Sequence, residues 1–199
     1  MKSPIVALSL ALSALALPAW ADSPVVRIRG TIEAVDGAHV TIKPRLGASV
    51  QVTLAESVRV ATANNARIGD IQPDSYIGTA ATPQPDGTLK ALEVAVFAPS
   101  MRGTGDGHYP WDLEKESTMT NGAVGTLSGT GDRTIRVTYK GGEKTITVPE
   151  GVPVVSLAPG DRSAIKAGAR VVAVTRADAN GVAVADRVIV GENGTVPPM

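Results

Sequence analysis

The chain has 199 residues, 19 Lys and Arg set against 19 Asp and Glu, and no Cys. Balanced charge gives no footprint for nucleic acid, whose binding rests on neutralising phosphates with Lys and Arg, and the lack of Cys excludes disulfides and thiolate ligands. With 3% aromatics and Gly and Pro spread throughout, the composition suits short strands joined by tight turns.

At the amino end, Lys2 precedes an uncharged apolar run from Ile5 to Leu17, then Pro18 and Ala19-Trp20-Ala21. A basic start, an h-region of this length and a small-x-small ending predict a signal peptide over residues 1–21, cleaved before Asp22. The run is shorter than the roughly 20 residues a spanning helix needs, and no second stretch of that length follows. The expectation is an exported, periplasmic protein without a transmembrane span after signal cleavage.

Residues 25–98 read as a first small domain. Val26, Ile28, Thr31 and Ile32 begin a strand, and Asp36-Gly37 turns it into Val40-Thr41-Ile42. Val50, Val52 and Leu54 alternate, as do Val58 and Val60, so each run has one face to bury. A turn-rich segment from Ile68 to Asp74 leaves room for one helical turn, and strands from Tyr76 to Ala81 and Leu89 to Phe97 are joined across Pro85-Asp86-Gly87.

A shift of 94 or 95 positions lays residues 122–194 on this first unit. Gly30-Thr31-Ile32 falls on Gly125-Thr126-Leu127, Val52-Thr53-Leu54 on Ile146-Thr147-Val148, Ile71 on Ile165, and Val94 and Val96 on Val188 and Val190. Such self-similarity indicates a duplicated unit. Five or six short strands with a brief interruption fit an OB-like, partly open barrel, so the predicted fold is all-β, two tandem small OB-like barrels, with a β-sandwich as the alternative. Each barrel alone is marginal in size, which gives the linker at 99–121 a structural role in their seam. Residues 195–199 read as a disordered tail.

Ile71-Gln72-Pro73-Asp74-Ser75-Tyr76-Ile77 followed by Pro85-Asp86-Gly87-Thr88-Leu89 resembles a bacterial family of exported small β-barrel domains of unknown function. Ile165 to Val171 and Asn180 to Asp186 match it in the second unit, and the linker from Met101 to Asp112 resembles that of a two-barrel subset with a GxGHxPWD-type linker, sometimes labelled a metal-transporter permease. The resemblance covers nearly all of the chain after residue 21 and implies a fold more than an activity.

The linker concentrates the distinctive side chains. Gly103, Gly105 and Gly107 precede Pro110 and no helical pattern follows, which excludes a phosphate loop of the usual kind. No G-x-S-x-G elbow occurs, His39 reads as an exposed hairpin residue, and Asp106, Asp112, Glu114 and Glu116 read as solvated charges. A hydrolytic enzyme is therefore the least favoured class, and no catalytic residue is named.

Met101, His108 and Met119 supply two thioethers and an imidazole, ligand types that select Cu(I) or Ag(I) where Cys is absent. The set is similar in kind to that of small periplasmic copper and silver chaperones, OB-like barrels using Met, His and Trp, but it differs in spacing and lies between barrels. No cofactor is required by this reading. The bland alternative has Met101 and Met119 filling the seam and Trp111 and Tyr109 anchoring the linker. The favoured reading is a non-enzymatic accessory module of the cell envelope, whose linker contacts an envelope protein or small ligand through Arg102, Tyr109, Trp111 and Asp112.

Overall fold

A computed structural model describes residues 23–197 except Thr130 and Asp132, so the predicted signal peptide lies outside the described residues. The chain is all-β. Alternating apolar residues form β1 (Val26–Asp36), β2 (His39–Pro44) and the long β3 (Val50–Asn65), a 3-10 turn at Ile68–Asp70, then β4 (Tyr76–Pro83) and β5 (Leu89–Phe97). The linker adds a 3-10 turn at Pro99–Met101 and the short β6 (Gly107–Pro110). The order then recurs as β7 (Thr118–Ser128), β8 (Thr134–Tyr139), β9 (Gly142–Thr147) and β10 (Val154–Pro159), a 3-10 turn at Arg162–Ala164, β11 (Arg170–Ala177) and β12 (Ala183–Gly191). β9 and β10 together occupy the place of the continuous β3. They are separate because Pro149 and Pro153 lack the N–H a ladder needs.

The ladders do not follow the division at the linker. β12-β11-β1-β2-β3 is closed into a five-strand barrel by a parallel β12–β3 ladder. β5-β4-β7-β8-β9 forms a second circuit, closed by the two-pair ladder of Leu89 with Ile146 and Lys90 with Thr147. Each circuit takes three consecutive strands from one half of the chain and a hairpin from the other. The expected arrangement of one barrel per half, at 25–98 and 122–194, is thus replaced by an interlaced one. β10 ties the circuits together, antiparallel to the end of β3 and parallel to β5.

Register also corrects the sequence equivalence in the first strand. Ile32 faces Ile42 across β1–β2, and Val124 faces Val137 across β7–β8, each just before a bulge. By register Gly122, not Gly125, stands to β8 as Gly30 stands to β2. Both glycines sit where strands nearly touch: a Cβ at Gly30 would lie 2.1 Å from Lys43 O, and one at Gly122 2.3 Å from Thr138 O.

Period-two alternation divides the apolar residues among three cores. Ile32, Val40, Ile42, Val52, Val171, Ala173, Val188 and Val190 fill the first circuit, while Ile77, Leu89, Val94, Val124, Ile135, Val137 and Ile146 fill the second. Residues of opposite phase, including Ala61, Tyr76, Ala95, Phe97, Met119, Leu157, Val172 and Ile189, make a third core in the seam. The tail joins the structure: Thr195 is buried, and its hydroxyl accepts from Asn65 N at 3.1 Å. Disorder from residue 195 onward is therefore not what Thr195 and the buried Pro197 display.

Candidate ligand site in the seam

The linker packs Met101, Tyr109, Trp111 and Leu113 against the seam core. β6 is held to β7 by ladder pairs that set His108 opposite Thr120 and Tyr109 opposite Met119. Neighbouring residues of a strand face opposite ways, so Tyr109 and Met119 turn to the seam while His108 and Thr120 turn away from it. Beyond β6, Trp111 N donates to Ser117 O at 2.7 Å, and the buried Ser117 hydroxyl lies 2.7 Å from Glu114 O and 3.2 Å from Trp111 O, closing the loop back to β7.

Three polar clasps hold this segment. Arg102 donates to Asp74 O at 2.8 Å and Asp74 Oδ1 at 2.6 Å, fixing the linker's start to the loop before β4. Asn121 Nδ2 donates to Thr104 O and Tyr109 Oη, and Tyr76 Oη donates to Asp106 Oδ2. Burial, reinforced by the Asp106 charge, raises the Tyr76 phenol above its ordinary range, so it remains a donor. At the far end Asp112 accepts from Arg29 at 2.8 and 3.3 Å and pairs with Arg27 at 3.5 Å. Burial pushes the Asp112 carboxyl up, but the Arg29 hydrogen bond and the charges of Arg29 and Arg27 outweigh it and hold the group below the usual carboxylate range. The Arg27 guanidinium lies 3.7 Å from the Trp111 ring centre, a cation–π contact.

Between linker and sheet lies a cavity of about 120 Å³, lined by Phe97, Met101, Tyr109, Trp111, Met119 and Leu157, with Arg27 and Arg187 among its other walls. Its apolar floor includes Ala61, Val172 and Ile189, which are neighbours across β3, β11 and β12. Trp111 Nε1 is buried and lacks a hydrogen-bond partner.

The residues predicted for soft-metal binding separate here. Met101 and Met119 both line the cavity, but the His108 ring is on the other face of β7, where Nδ1 lies 2.8 Å from Thr120 Oγ1 and the ring stacks on Tyr139 at 6.0 Å. Burial and the nearby Lys144 charge depress the His108 pKa. The proposed Met101, His108 and Met119 set is thus not one site, because His108 and Met119 have opposite strand parity. Among the described residues, no three His, Asp or Glu gather as a metal-binding group.

Of the predicted contact residues, Tyr109 and Trp111 line the cavity, whereas Arg102 and Asp112 hold the linker in place. Asp106 and Asp112 serve different clasps at opposite ends of the linker. His39 is exposed, as expected, with Nδ1 3.3 Å from Thr53 Oγ1.

Arg27, Phe97, Asn121, Leu157 and Arg187 went unrecognised from sequence. The signal was nevertheless present: Val171-Val172-Ala173-Val174 and Val188-Ile189-Val190 are apolar in both phases, the mark of strands covered on both faces. Compared with family models, curated proteins and solved structures, the chain matches none. No helix among the described residues is long and apolar enough to cross a membrane.

Proposed function

We propose that this protein is an exported, non-enzymatic binding module of the cell envelope whose ligand is a small, largely apolar molecule held between the linker and the barrel sheet. The carrying observation is the cavity itself, walled by Phe97, Met101, Tyr109, Trp111, Met119 and Leu157 in an otherwise closely packed seam. Small-molecule sites favour apolar and aromatic walls with a few polar groups that fix orientation. Export rests on the amino-terminal signal pattern.

In this reading the two circuits are OB-like barrels descended from a duplicated unit whose carboxy-terminal hairpins have exchanged partners. That history accounts for the recurring element order and for the equivalent glycines at 30 and 122. It also gives the linker its function, since an interlaced pair leaves a seam against which the linker packs. Cu(I) or Ag(I) would meet the thioethers of Met101 and Met119 there without the His108 imidazole, so the organic ligand is preferred.

Titration with phenylacetamide, followed through the methionine ε-methyl resonances, tests the proposal. Met101 and Met119 signals are expected to shift together while signals from outside the seam stay fixed. Shifts absent at Met101 and Met119, or uniform across all methionines, reject the cavity as the binding site.

A further inference from the structure

Resting on that reading, we infer that the ligand is an anion, a carboxylate joined to an apolar body of about one ring, with its charge seated against Arg27 and Arg187. The sheet register places these cations deliberately. Arg27 of β1 is opposite Val174 of β11, Val174 is opposite Arg187 of β12, and Arg187 is opposite Arg59 of β3. Residues opposite one another across successive ladders share a face, so three arginines stand in one row. The next row on that face is Arg29, Val172, Ile189 and Ala61. Apolar floor and cationic edge are therefore adjacent rows of one surface.

The charges along this edge are unevenly matched. Asp112 binds Arg29 and pairs with Arg27. Arg187 forms no hydrogen bond or ion pair among the described residues, although the Asp186 charge on its own strand favours its charged form. It is half-buried, directly across from the like charge of Arg59, an arrangement that is unfavourable unless an anion joins the pair. Burial, then Arg59, lowers its pKa without approaching neutrality at pH 7, because arginine begins so high. A carboxylate relieves the repulsion, and the planar guanidinium matches its geometry with two parallel hydrogen bonds.

The second observation is Trp111, whose ring lines the same cavity and lies 3.7 Å from the Arg27 guanidinium, which holds that cation at the cavity edge. The size follows from the space: about 120 Å³ is near that of an apolar cavity of ~150 Å³ known to take benzene. The part of the ligand held inside is therefore a single ring or a short branched chain.

Phenylacetate and phenylacetamide differ in charge and little in shape, so calorimetry of both with the full chain, beside the Met101 and Met119 methyl shifts, tests the inference. Phenylacetate is expected to bind at least about tenfold tighter, the scale of a charge-assisted hydrogen bond. Arg187→Gln should remove that preference, acid and amide then binding with similar affinity, and native circular dichroism of the variant shows that it is folded. If Arg187→Gln fails to fold, raising the salt concentration with the unaltered protein should shrink the preference for the acid alone. Equal affinity for acid and amide overturns the anion and leaves the apolar cavity standing. Failure of both ligands to shift Met101 and Met119 overturns the cavity reading along with it.

Discussion

Asn121 shows how one side chain can set the height of the linker above the sheet. Its Nδ2 supports Thr104 O and Tyr109 Oη, while its Oδ1 is pressed toward β4, where a Cβ on Gly78 would come within 2.5 Å of it and 3.0 Å of the Phe97 ring. Gly78→Ala is therefore expected to destabilise the protein by about 1–3 kcal/mol, as overpacking of a filled interior does, and to perturb the Tyr109 ring signals. A denaturant midpoint equal to that of the unaltered chain would refute this account. Met119, at 1% exposure, is a wall of the cavity and part of the seam core. Met119→Ala should cost about 2–5 kcal/mol by leaving unfilled space, and the same space should admit a larger ring than phenylacetate. Stability measured by chemical denaturation, with and without a naphthalene-based acid, separates the two effects.

The linker holds its place as an element through charges at both ends, and acid should loosen it in a defined order. His108 has a folded-state pKa below its ordinary 6.5, owing to burial and then Lys144. Depression of a base means that the unfolded chain gains protons first, so stability starts to fall as pH drops through about 6.5. Asp112 also has a depressed pKa, relative to an ordinary 3.8. For an acid this contributes stability above the unfolded value that is lost as pH falls through the folded one, hence below pH 4. Two successive losses are expected in the unfolding midpoint, and Asp112→Asn should reduce only the lower one, to which Asp86 and Asp161, held down by hydrogen bonds from Thr88 and Ser163, also contribute. A flat profile from pH 7 to 5 would dismiss the His108 contribution. The same residues mark the limit of sequence reading. Tyr109 and Trp111 were legible as anchors because aromatic residues between Gly and Pro are rarely idle. Asp112 looked like a surface contact, since its partners Arg27 and Arg29 are more than 80 positions away in β1. Residue type alone groups His108 with the methionines, but β6 pairs with β7 and strand parity puts it on the opposite face.

For the whole molecule, alternation in the sequence fixes which residues face inward, but it cannot choose between a strand's own hairpin and an equivalent one from elsewhere in the chain. β4 and β11 have nearly interchangeable patterns, and so do β5 and β12, so local periodicity is satisfied equally by separate or interlaced barrels. The interlaced choice buries Val172 and Ile189 against Phe97 and Leu157 in the seam core, and it has a mechanical consequence. A fragment of residues 23–98 would hold β1–β3 without the Val171, Ala173, Ala185, Val188 and Val190 that complete their core. Its β1 and β3 would also lose their ladders to β11 and β12, leaving two open edges. At about 75 residues there is little other burial to compensate. Neither this fragment nor one of residues 99–199 should fold alone. Mixed in equal amounts they should recover native circular dichroism and a single cooperative unfolding transition, because each supplies the hairpin that the other circuit lacks. Cooperative melting of the 23–98 fragment by itself, with well-dispersed amide resonances, would show that a barrel can be built from one half and would reject the interlaced fold.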